Sequence, residues 1–273
     1  MGKVIAVINR KGGVGKTTTS VSLAHGLARK VADSGGRVLI VDLDPQGHVS
    51  RALGVKPNGA DLARLLLGEQ TVKQAIVSAD REASGGPSRP NLYIIPTSDE
   101  LAEAKVQIMA VNIAKQFTKG GSTSMDNLLE SKLGVLRNAF AYIIIDCPPS
   151  LDMLERAVYK FADEVIVPVK VDYLGIAGTV QHTDNIVQAQ VSGIDIKIAM
   201  VVPTFVHPRE TMDKQVIATL VKQYSRGRVA KPILERVALK HCVADGRTIF
   251  EYEPDSIVAQ AYDWLAEKVS VAV

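Results

Sequence analysis

Arg10-Lys11-Gly12-Gly13-Val14-Gly15-Lys16-Thr17-Thr18 follows an apolar, β-like run over residues 4–9 and leads into a helical pattern. A glycine-rich turn in that position lets backbone N–H groups converge on phosphate oxygens, and the helix N-terminus adds its partial positive charge. The general phosphate-loop pattern is G-x-x-x-x-G-K-[ST]. Gly15, Lys16 and Thr17 match its end, but Arg10 stands where the first glycine belongs, and an extra lysine, Lys11, precedes Gly12. Glycines at such a joint often serve only the turn, because glycine tolerates positive φ. Three glycines, a lysine and two threonines in this order point instead to a bound nucleotide. Lys11 by itself would read as a solvated loop lysine.

Around the loop, strand and helix patterns alternate along the chain, the signature of an α/β fold with a mostly parallel sheet covered on both faces. Leu23, Leu27 and Val31, with Ala24 and Ala28, form one apolar helical stripe that Gly35-Gly36 stops. Residues 38–41 read as a buried strand ending at Asp42, and residues 142–145 as another ending at Asp146. Residues 92–95, 165–169 and 196–202 complete the strands. Short helices are expected at about 61–67 and 71–78, and a surface connection over 80–91. Two helices within 99–136 are separated by a flexible joint at 120–124. Further helices are expected over 151–162, over 210–224 and after Pro254, a favoured first-turn residue. Between Pro203 and Gly246 the pattern otherwise blurs, and neither a repeat nor a domain boundary is visible.

Three strand ends carry phosphate chemistry, at the carboxyl edge where ligands of such sheets lie. Lys16 is placed to reach the β- and γ-phosphates, and the Thr17 hydroxyl to ligate Mg²⁺. Asp42-Leu43-Asp44-Pro45-Gln46-Gly47 closes the second strand. Alternation along an extended strand would aim Asp42 and Asp44 to one side, where a carboxylate can orient a metal-bound or attacking water. The plainer reading is a turn, since Asp-Pro and Gln-Gly are turn chemistry. Asp146, after an apolar run and before Cys147-Pro148-Pro149, resembles a Walker B acid that holds Mg²⁺ through water.

Bulk composition narrows the class. The chain has 273 residues, 47% hydrophobic and 22% charged, ordinary for a globular protein, with no apolar run of membrane-spanning length. Cys147 and Cys242 form no CxxC pair and suit a reducing cytoplasm. The net charge of +3 is unevenly spread: residues 1–30 hold six Lys/Arg and no acid, and residues 205–247 hold nine Lys/Arg against four acids. The first cluster surrounds the loop. The second is either a solvated helical face or a surface for a polyanion.

Together, Lys11–Thr19, Asp42–Gly47 and Ile143–Ser150 resemble the ParA/Soj partition ATPases, the deviant-Walker group that also contains MinD. The resemblance spans nearly the whole chain. It implies a single P-loop NTPase domain over residues 1–273, with a mostly parallel twisted sheet and ATP and Mg²⁺ as cofactors. The strand before the loop begins at residue 4, which leaves no room for an N-terminal helix-turn-helix. It further implies a homodimer with two ATP molecules sandwiched between protomers. Lys11 would cross to the partner's phosphates, and Gly12 would lie where the two backbones meet. Gly13, Val14, Gly15, Lys16, Thr17 and Thr18 would hold the nucleotide, with Pro203 and Thr204 near the adenine. Lys11, Lys16 and Asp44 would be catalytic, Asp44 by positioning the attacking water. Thr17, Asp42 and Asp146 would serve the metal. The ATP-bound dimer would bind nonspecific DNA, and a ParB-like adaptor would stimulate hydrolysis, giving a cytoplasmic, nucleoid-associated protein. Arg209 falls on a family DNA-contact position. The second contact departs from the family pattern, leaving Arg236 and Lys240 as candidates.

Three alternatives share the loop. A MinD-like, membrane-cycling ATPase should end in a basic amphipathic helix. Here Val258, Ala261, Leu265 and Val269 make a core-facing stripe, and the charges of that helix sum to −2, so no membrane partner is expected. An iron–sulfur carrier or reductase needs a cysteine pair, which the chain lacks. A nucleotide-gated scaffold with little turnover fits poorly with Asp44.

Overall fold

The computed structural model describes residues 1–116, 125–172 and 183–270; the joint expected at 120–124 lies outside them. In chain order the elements are β1 (Lys3–Val7), α1 (Lys16–Val31), β2 (Val38–Asp42), α2 (His48–Leu53), α3 (Leu62–Leu67), α4 (Val72–Ala75), β3 (Val77–Ser78), β4 (Leu92–Ile95) and α5 (Glu100–Gln116). There follow α6 (Leu128–Leu133), β5 (Tyr142–Asp146), α7 (Glu155–Phe161), β6 (Glu164–Lys170), a helical stretch over 183–191 (α8), β7 (Lys197–Thr204), α9 (Thr211–Tyr224), α10 (Val237–Asp245), α11 (Ile249–Tyr252) and α12 (Ile257–Ser270). The seven strands form one sheet in the order β3-β4-β2-β5-β1-β6-β7. All pairings are parallel except β3 with β4.

Side-chain alternation builds a core on each face. Along β1, Ile5 and Val7 join one core while Val4 and Ala6 join the other. The first core takes in α1, α2, α11 and α12; the second takes in α3, α5, α6 and α7. The stripe Val258, Ala261, Leu265 and Val269 of α12 is buried, as its spacing predicts.

Four expectations change. The helix expected over 71–78 is a single turn, capped by a reciprocal Thr71–Gln74 box, after which Val77 and Ser78 pair with β4. A β-branched valine beside an unpaired strand edge gains more from that ladder than from another helical turn. The helical segment over 151–162 becomes regular α-helix only at Glu155. The α2 helix, after Gly47, was not expected at all. The 80–91 connection is not merely a surface one, because Arg89 is among the most deeply buried side chains. The edges of the sheet are short or covered: β3 has two residues, and β7 receives the segment 229–234 through bridges Val201↔Val229 and Val206↔Leu234.

Candidate nucleotide site

Parallel pairing brings the carboxyl ends of β1, β2 and β5 side by side, with Val7 opposite Asp146 and Asp42 opposite Asp146. The loop leaves β1 and reaches α1 through Gly13 (φ 69°) and Gly15 (φ 83°), both left-handed, which glycine alone adopts without strain. Val14 is buried, and its carbonyl accepts from Thr204 Oγ1 at 2.9 Å, tying the loop to the end of β7. Gly12 differs. Its φ is not positive, and a Cβ there would meet only Pro149 Cγ at 3.9 Å. Nothing among the described residues demands a glycine at this position.

The two lysines have separate partners. Lys16 Nζ donates to the Lys11 carbonyl at 3.0 Å, and burial lowers its pKa against the opposing pull of Asp146. Lys11 Nζ instead meets Asp172, beyond the end of β6, at 2.8 and 3.0 Å. Arg10, in the place of the usual first glycine, pairs with Glu155 at 2.9 Å.

Asp146 is fully buried and accepts from Thr17 Oγ1 and Ser20 Oγ, each at 2.7 Å. Its carboxyl is pushed up to about 6, chiefly by burial, with the two hydroxyls and Lys16 opposing. Asp42 is equally buried and raised, by burial first and then by Asp146. Its Oδ1 accepts from Asp44 N at 3.0 Å and its Oδ2 from Val49 N at 3.1 Å. The extended alternation therefore stops at Asp42. The chain turns there, and Asp44 is presented from a turn rather than from the same strand face. Asp44 Oδ1 in turn accepts from Gln46 N at 3.1 Å, so turn geometry and an acid lining the loop cavity coexist. Two raised, buried carboxylates beside hydroxyl oxygens make a hard, all-oxygen donor set of the kind Mg²⁺ prefers. Thr17 and Asp146 are the residues that would hold that ion, and Asp42, which shapes the turn behind them, would support it.

Two cavities flank the loop. One of about 530 Å³ is lined by Gly13, Gly15, Lys16, Thr17, Thr18 and Asp44. The other, of about 420 Å³, runs from Gly15 and Thr18 to Phe205, Leu234, Leu239 and Tyr262 and is mostly apolar. The first has the character of a phosphate pocket, the second that of a slot for a flat base. Thr204 lines the apolar cavity, while Pro203 lies buried in β7 without reaching it. Arg236 and Lys240 are exposed at its wall, and Arg209 is exposed just before α9.

Sequence reasoning missed Ser20, Tyr262 and Asp172. Ser20 stands three residues after Thr17, on one helix face, and that spacing could have found it. Tyr262 comes from a distant segment, so no local pattern marks it, whereas Phe205 (φ 56°) directly follows Thr204. Cys147 packs in one core and Cys242 in the other, so they supply no shared pair for a cluster.

The AAA_31 family, described as an AAA domain, matches residues 2–200. The sporulation initiation inhibitor protein Soj of Bacillus subtilis is 35% identical over 99% of both chains. The chain belongs to the ParA/Soj family of ATPases. The chromosome partitioning protein ParA of Caulobacter vibrioides is 30% identical, covering 98% of this chain and 93% of its own. A solved structure named cobyrinic acid a,c-diamide synthase from Mycobacterium smegmatis, with an ATP analogue and magnesium bound, is 29% identical with a TM-score of 0.75, covering 98% and 93%. This ParA/Soj-type ATPase hydrolyses ATP, with ATP and Mg²⁺ as its cofactors. Among the described residues, no helix is long and apolar enough to cross a membrane.

Proposed function

We propose that this ATPase is a partition or positioning motor of the nucleoid that works as an ATP-sandwiched homodimer. The observation that carries the reading is the pairing of Gly12 with Lys11. A glycine without an internal reason, beside a lysine held off its own phosphate loop by Asp172, suits a surface that a second copy approaches. On dimerisation Lys11 exchanges Asp172 for the partner's phosphates and offsets the charge that develops as the γ-phosphoryl leaves. Lys16 holds the phosphates of its own protomer, Asp44 orients the attacking water, and Thr17, Asp42 and Asp146 form the metal side of the cleft. Bound Mg²⁺ supplies neutralisation of phosphate charge.

Arg209, with Arg236 and Lys240, belongs to the basic segment 205–247 and meets DNA phosphates without reading bases. Such binding falls steeply with salt. A ParB-like adaptor stimulates hydrolysis and release. The apolar stripe of α12 is buried against α1 and the sheet, leaving that face unavailable to a bilayer.

Binding of a random-sequence duplex with ADP, with ATP and with a nonhydrolysable analogue, across a salt series, tests the reading together with Lys11→Ala. The wild type should bind DNA with ATP and not ADP. Lys11→Ala should bind ATP yet neither dimerise nor show stimulated hydrolysis. Normal stimulated hydrolysis in Lys11→Ala would remove the cross-protomer role.

A further inference from the structure

The connection between β3 and β4 lines neither cavity, yet it carries two arginines that converge on the ends of two helices. Arg89 has a side chain 0% exposed and meets Glu251 with two bonds of 2.7 Å, from Nε and Nη2. Its Nη1 donates to the Leu53 carbonyl at 2.8 Å and its Nη2 to the Gly246 carbonyl at 2.9 Å. Arg81 Nη1 donates to the same two carbonyls, at 3.1 and 3.0 Å. Leu53 ends α2, and Gly246 caps α10. Both caps, Gly54 and Gly246, are left-handed, and a Cβ on Gly246 would stand 2.6 Å from Gly54 Cα. The two helix C-termini therefore meet backbone to backbone. Their partial negative charges would repel; two guanidinium groups shared between the same carbonyls turn that contact into a joint.

Both helices also border the cavities that flank the loop. Helix α2 starts directly after the Asp42–Gly47 turn and is pinned to it by the Val49 N–Asp42 bond; its Ala52 lines the phosphate cavity. Helix α10 contributes Leu239, Lys240 and Val243 to the apolar cavity, with Arg236 at its N-cap. At about 1.5 Å per residue, α2 is a lever roughly 9 Å long, fixed at both ends.

We propose that Arg81 and Arg89 are positioning residues that join α2 and α10 into one body, so that a movement of the Asp42–Gly47 turn on meeting a γ-phosphate is delivered to the basic surface at Arg236 and Lys240. For its consequence on DNA, this rests on the reading of that surface given above. The joint itself does not depend on it.

Hydrogen exchange of the full chain with MgATP against MgADP, in wild type and Arg81→Gln, tests the joint. Arg81→Gln leaves Arg89 to bond both carbonyls, so folding should survive. In the wild type, exchange should change in both α2 and α10. In Arg81→Gln the α2 change should persist and the α10 change shrink, because Arg89 alone then bridges the two carbonyls, with nucleotide affinity near normal. The ATP-to-ADP ratio of DNA affinity should fall by about tenfold, a typical coupling between sites. Arg81→Met, which keeps the apolar stem but carries no donor for the two carbonyls, should behave in the same way and serves if the glutamine variant does not fold. An α10 response in either variant equal to wild type would overturn the proposal, as would a wild type in which α10 does not respond. Failure of the wild type to bind DNA would overturn only the reading of the basic face, and the exchange data would still decide the joint.

Discussion

Among the described residues, two of the buried clusters of charge are finished to different degrees. Under the caps of α2 and α10, Arg89 and Glu251 satisfy each other, Glu251 keeps a lowered pKa through Arg89 and the Thr248 N–H, and His25, pushed down to about 4 by burial, stays neutral beside them. At the strand ends, Asp42 is raised by burial and then by Asp146, and Asp146 by burial, with the hydroxyls of Ser20 and Thr17 and the charge of Lys16 opposing the shift of Asp146. The first cluster is complete within the fold and serves geometry. The second is completed by what it binds, and the fold carries its cost until then. That contrast separates structural from functional buried charge more reliably than burial alone.

The largest effect should come from breaking the finished cluster. Arg89→Met leaves Glu251 without its bidentate partner and removes donors from two helix-end carbonyls, and should cost about 3–5 kcal/mol in urea denaturation. A smaller loss, under about 1 kcal/mol, would mean that the two clusters are not so different.

The unfinished cluster should respond with the opposite sign. Between the ordinary carboxylate range and about 6, folded Asp146 holds a proton that the unfolded chain has released. Its contribution to stability is therefore present at low pH and lost as pH rises through about 6. Asp146→Asn should stabilise the nucleotide-free protein at pH 7.5 by about 1–3 kcal/mol and flatten its stability between pH 5 and 7, while abolishing Mg²⁺-dependent hydrolysis. Destabilisation at pH 7.5 would show that the hydroxyls of Thr17 and Ser20 already complete the site.

Gly12→Ala should have the smallest effect on the isolated chain, within about 0.5 kcal/mol in thermal melting, because its Cβ meets ordinary contact distance. ATP-dependent dimerisation, read by sedimentation, should nonetheless be lost. Gly246→Ala, placed against Gly54, should do the reverse and damage folding first.

The same contrast explains what the sequence made legible. The sheet, the loop and the acids at Asp42, Asp44 and Asp146 are local patterns, since period-two burial and strand-end chemistry are written in consecutive residues. Arg89 looked like part of a polar surface connection because its partners, Leu53, Gly246 and Glu251, are contributed by three other segments. Tyr262 shares that opacity. Asp44 was placed correctly at the strand end but for an incomplete reason: the turn, not strand alternation, presents it.

Strand β3 offers only two residues at one flank of the sheet, and the segment 229–234 lies against the other. Among the described residues, one flank is thus limited to a two-residue strand and the other is partly covered at Val201, Pro203 and Val206, which leaves little open backbone at those points for a neighbouring copy to pair with. Pairing of two copies at those points therefore falls to side chains and ligands rather than to the backbone.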